Sequence, residues 1–111
     1  MIGEIRRGGL YYADFGEYGD RTVLVVSWDV INNSLRSPVV CQVTTSERER
    51  NLPTYVLVPA GEGGLGNDSY VLCHEIATLD AEDLRREIGT LPAAYLVQVE
   101  AALKRTLDLQ A

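Results

Sequence analysis

A chain of 111 residues, 46% hydrophobic and 23% charged, has the size and balance of one soluble globular domain spanning 1–111. Its net charge of -6 argues against a general nucleic-acid binder, because polyanion binding relies on a basic patch. No apolar run approaches the ~20 residues of a membrane span, and the first residues lack a signal peptide's apolar core, so no membrane partner and a cytoplasmic location are expected.

Gly8-Gly9 precedes a run from Leu10 to Phe15 whose alternation predicts a first strand. Gly16 to Asp20 reads as a short hairpin connection. The second strand, Thr22 to Ser27, is apolar on both faces and therefore central. Asp29 is placed to cap a helical turn over Val30 to Leu35, and Pro38 opens a third strand running to Val43. Ser46 to Asn51 is a charged loop, read either as a solvated tip or as Arg48 and Arg50 reaching toward an anion. Leu52 to Val58 is a fourth strand. Pro59 to Asn67 is a glycine-rich loop without the lysine ending of a phosphate cradle, so it is read as a flexible surface turn. A fifth strand follows from Asp68 to Ala77.

The period then changes to 3.6. Asp80 with Asp83, the Leu79/Leu84 staple, the Leu84–Ile88 pair and Gly89 predict a short helix. Pro92 starts a last helix with an apolar stripe of Leu96, Val99, Leu103 and Leu107, suited to core or dimer contact. Five strands and then two helices predict a mainly β fold with α: a small half-open barrel backed by the last helix.

Candidate chemistry concentrates between Arg21 and Ser46. An arginine stands at the entrance of strand two, and Thr44-Thr45-Ser46 stand at the exit of strand three. Fixed cation plus hydroxyls can hold a phosphate, although a loop arginine and a strand ending in turn formers give the same pattern. Lys and Arg are absent from Pro53 to Leu84, so any anion site draws on the first half. Cys41 and Cys73 lie in apolar runs without C-x-x-C spacing and read as buried free thiols. Two cysteines and the single His74 do not make a four-ligand zinc site, and no metal or cofactor is expected.

Taken together, these residues resemble the MazF/PemK/Kid toxins. Arg6-Arg7-Gly8 with Leu10-Tyr11-Tyr12-Ala13-Asp14-Phe15 is similar to that family's opening. Arg21 with Val23-Leu24-Val25-Val26-Ser27 resembles its R-P-V-L-V-V-S segment, and Val43-Thr44-Thr45-Ser46 its I-T-S-Q. Leu52-Pro53-Thr54-Tyr55-Val56, Gly64-Leu65 with Asp68-Ser69, Val71-Leu72-Cys73, Thr78-Leu79-Asp80 and Leu107-Asp108-Leu109 continue the match in order. The resemblance implies an SH3-like half-open barrel with a C-terminal helix, paired as a homodimer. It implies a metal-independent endoribonuclease that cuts single-stranded RNA at short sequences, leaving a 2′,3′-cyclic phosphate and a 5′-hydroxyl. It also implies neutralisation by a cognate antitoxin with a disordered acidic tail.

On the same resemblance Arg21 and Thr44 correspond to residues at the scissile phosphate, and Thr45, Ser46, Arg48 and Glu75 fall in the RNA-contacting set. The sequence departs from the pattern at Thr22, where relatives carry proline, and in a shorter loop before Arg21 that lacks an aligned glutamate. Two further departures are His74, where relatives are acidic, and Ala77, where they carry arginine. His74 is thus the candidate for the missing proton-transfer group. Two alternatives stand beside this: a non-catalytic toxin of the same fold, like the CcdB gyrase poisons, or an inactive relative that only binds an antitoxin.

Overall fold

The structure is a computed structural model that describes residues 2–45 and 52–109. Six strands form a single antiparallel sheet: β1 (Gly9–Asp14), β2 (Asp20–Val25), β3 (Val39–Thr44), β4 (Tyr55–Val58), β5 (Ser69–Thr78) and β6 (Leu84–Thr90). Their order is β4-β5-β3-β2-β1-β6, so β4 and β6 are edges and the barrel stays open between them. One helix, α1 (Ala93–Thr106), follows.

Alternation along the strands separates two cores. Leu24, Cys41, Val43, Val56, Val58, Val71 and Cys73 face α1 and pack with its Val99 and Ala102. Val23, Val25 and Val40 face the other way, joining Ile5, Tyr11, Ala13, Ala81 and Leu84. The stripe on α1 is core as far as Leu103, while Leu107 is exposed.

The sequence reading errs over residues 80–89. The capping box of Asp80 and Asp83 forms as expected, but it caps a single 3-10 turn, Ala81–Asp83. The chain is extended from Leu84 to Thr90 and pairs with β1. Without β6, the outer backbone groups of β1 would lack partners, and that demand outweighs a local helical preference. Leu84 and Ile88, predicted to share a helical face, instead pack into different cores.

The glycine-rich loop is likewise structured. Gly63 and Gly64 have φ of 64° and 85° and lie against Ile88 and Thr90. A Cβ on Gly89 would collide with the Gly63 carbonyl. These glycines permit close backbone approach between loop and edge strand, so Gly89 is a packing residue and not a helix terminator.

The segment after β2 holds the N-terminus. Buried Asn32 bonds Ser27 through both side-chain and backbone groups, and Asn33 brackets Ile5, accepting from its N–H at 2.8 Å and donating to its carbonyl at 2.8 Å. Asp29 accepts from the Arg7 N–H at 2.7 Å and does not cap the Ile31–Leu35 turn as expected.

Candidate active site

The site is built by register. Thr22 pairs with Val43 across β2 and β3, and one further antiparallel step sets Arg21 opposite Thr44. Thr44 pairs with Tyr70 of β5, which pairs with Leu57 of β4. The next row reads Val23, Gln42, Leu72, Tyr55. Directly opposed residues share a sheet face. Arg21, Gln42, Thr44 and Tyr55 therefore lie together on the face turned away from α1. Arg21 is half-buried as a residue, and its guanidinium donates to the Asp20 carbonyl at 3.2 Å in an exposed contact.

A break in β5 brings in the next two residues. Cys41 pairs with Ile76, yet its neighbour Gln42 pairs with Leu72. Cys73, His74 and Glu75 thus have no partner in the β3 ladder and form a bulge, a device that re-aims side chains. His74 and Glu75 are exposed and line a cavity of ≈ 320 Å³ with Phe15, Val40, Gln42 and Ala77. His74 Nδ1 lies 3.1 Å from Thr54 Oγ1, and its ring stacks on Tyr55 with centroids 5.3 Å apart.

Register and bulge thereby put Arg21, Thr44, His74 and Glu75 on one side of the sheet. Thr45 is exposed just beyond the end of β3. Ser46, Arg48 and Arg50 lie outside the described residues. The remaining acids near Arg21 do not serve it. Alternation sends Asp20 to the opposite face, where Arg85 donates to it at 3.2 Å and to Asp14 at 3.0 Å. Glu17 sits on the exposed Gly16–Tyr18 turn.

Cys41 and Cys73 are buried free thiols, as expected. The hydrogen bond shared with Cys41, and then burial, push the Cys73 thiol up, which keeps it protonated and unreactive. Among the described residues, no group of three or more His, Cys, Asp or Glu could hold a metal ion, and no helix is long and apolar enough to cross a membrane.

Sequence reasoning passed over Tyr55, Gln42 and Phe15. Tyr55 was discoverable: Val56 and Val58 alternate with Tyr55 and Leu57, which sets an aromatic on the face opposite the core.

An open antiparallel barrel backed by one helix, with Arg21 and Thr44 at one end of neighbouring strands on the face away from α1, defines a small β protein. Residues 6–107 match the family described as PemK-like, MazF-like toxin of type II toxin-antitoxin system, and the chain belongs to that family. It is 35% identical over 112 residues to endoribonuclease MazF6 of Mycobacterium tuberculosis, covering 95% of this chain and 98% of that protein. It is 31% identical over 111 residues to endoribonuclease EndoA of Bacillus subtilis, covering 95% and 96%. Among solved structures, a mycobacterial endoribonuclease in complex with its cognate antitoxin superposes with a TM-score of 0.86 at 29% identity, covering 96% of this chain and 98% of that one. A MazE-MazF structure from Deinococcus radiodurans gives 0.81 at 26% identity, covering 98% and 100%.

Proposed function

We propose that this protein is the toxin of a toxin–antitoxin pair, an endoribonuclease that cuts single-stranded RNA in the cytoplasm without a metal and is held in check by an antitoxin. The observation that carries the reading is the β2–β3 register, whose Thr22–Val43 pair, extended by one step, brings Arg21 and Thr44 together on the face away from α1. The endoribonuclease names of its relatives favour cutting over protein poisoning.

The reaction has three needs: the 2′-hydroxyl loses a proton, the pentavalent phosphate is stabilised, and the 5′-oxygen gains a proton. Arg21 meets the second with two N–H groups on the phosphate oxygens, and Thr44 adds a hydroxyl donor. His74 handles a proton through Nε2, since Nδ1 faces Thr54. Thr45, Ser46, Arg48 and Glu75 contact the RNA around the cut. The active form is a homodimer, and the antitoxin's disordered acidic tail lies over the same face and competes for Arg21.

The test is end mapping. Purified protein is incubated with a long single-stranded RNA in EDTA. Discrete cuts with 5′-hydroxyl ends, suppressed by the cognate antitoxin, are expected. An RNA left intact under all conditions, with growth arrest on expression, would replace this reading with the protein-poison alternative.

A further inference from the structure

The face that carries Arg21 and Thr44 also carries a group of rings. Tyr70 pairs with Thr44 on one side and Leu57 on the other, diagonal to Tyr55. The Tyr55 and Tyr70 centroids are 6.4 Å apart at 54°. His74 comes out of the bulge and lies on Tyr55 with planes 18° apart. Thr54, one residue before Tyr55, holds the imidazole at Nδ1. Tyr55 is half-buried and His74 exposed, so one ring is a fixed backing and the other presents its outer face. Adjacent strands are separated by about 4.8 Å, so His74 on β5 lies one strand and Tyr55 on β4 two strands from Thr44, with Tyr55 in the next row along the same face.

Charge makes this arrangement informative. From Pro53 to Leu84 the chain has no Lys or Arg, so β4 and β5 have no cation with which to grip a nucleic-acid backbone. A flank without cations holds a single strand by stacking, because every base has a π-face and stacking needs no charge.

We propose that Tyr55 and His74 form a stacking platform that seats one nucleobase of the RNA beside the phosphate held by Arg21 and Thr44. This rests on the ribonuclease reading above and assigns Tyr55 a role in it. The base lies on the exposed imidazole face, and Tyr55 keeps that imidazole flat.

The experiment uses the RNA sequence mapped around the cut. It is synthesised with a 2′-deoxy nucleotide at the cleaved position, so that it binds intact, and with fluorescent 2-aminopurine at each flanking position in turn. Binding to the wild type should quench one position. Tyr55→Phe and His74→Phe keep the quench, because each retains a ring. Tyr55→Ala and His74→Ala lose it, with Kd rising roughly ten- to hundredfold. That factor is the same at low and high salt, since no phosphate contact is lost, whereas Arg21→Ala flattens the salt dependence.

His74→Phe separates the two roles of the imidazole: RNA binding survives while cutting slows if His74 also moves a proton. A wild type that cuts but quenches no position overturns the platform alone. So do alanine variants that bind and quench like the wild type, or whose loss carries the salt dependence of a missing phosphate contact. Failure to cut any RNA overturns the ribonuclease reading, and the platform with it.

Discussion

The two faces of the sheet are made by the same strands and behave differently. Toward α1, Leu24, Cys41, Val43, Val56 and Val71 are all buried and apolar. On the reverse, Val23, Val25 and Val40 form the second core and Tyr70 and Leu72 are buried, but Arg21, Gln42, Thr44 and Tyr55 stand among them as partly exposed polar positions. Buried positions on both faces anchor the strands, and they leave the patch from Arg21 to Tyr55 to keep polar groups at fixed spacing. Period-2 alternation lets a change on one face leave the other largely in place. The contrast can be broken residue by residue.

The largest effect is expected at Arg21. Arg21→Ala should slow cutting by about 10³-fold, the scale of losing a preorganised donor to a developing anion, with little change in thermal unfolding. On the other face, Leu24→Ala should cost about 2–5 kcal/mol in a denaturant titration through a buried cavity, while the rate per folded molecule holds. Gly89→Ala forces the β6 backbone off the Gly63 carbonyl and should cost about 1–3 kcal/mol by the same titration. Thr44→Val keeps shape and removes the hydroxyl, and single-turnover cutting should fall about tenfold. Arg85→Ala removes two surface ion pairs, to Asp14 and Asp20, and should shift stability by under about 1 kcal/mol, less in high salt.

A pH–rate profile sharpens the assignment of His74. The wild type should show a limb that His74→Ala lacks, and identical profiles would remove His74 from proton transfer. Glu75 beside it and Thr54 at Nδ1 are the polar groups to vary next.

What the sequence reveals depends on how local the cause is. The helix after Pro92 is legible because its 3.6 period and its packing agree. β6 is not, because Leu84 and Ile88 stand at helical spacing behind a real capping box, and the opposing demand comes from β1, far earlier in the chain, where Ala13 pairs with Leu84 and Gly9 with Thr90. Arg21 and Thr44 are legible as a motif, but their alignment is a property of the β2–β3 register. The bulge at Cys73–Glu75 is invisible to alternation, which runs on unbroken through it, so His74 could be named from the sequence but not placed against Tyr55. The glycine loop reads as a free turn until Gly89 is seen against it.

On the proposed reading the face away from α1 cuts RNA through Arg21, a residue that contributes little to holding the fold. The deciding experiment measures the cutting rate and the unfolding midpoint on one preparation of Arg21→Ala. The expected result is loss of discrete cutting by about 10³-fold at an unchanged midpoint. A folded Arg21→Ala protein that cuts the same RNA within tenfold of the wild-type rate would contradict it.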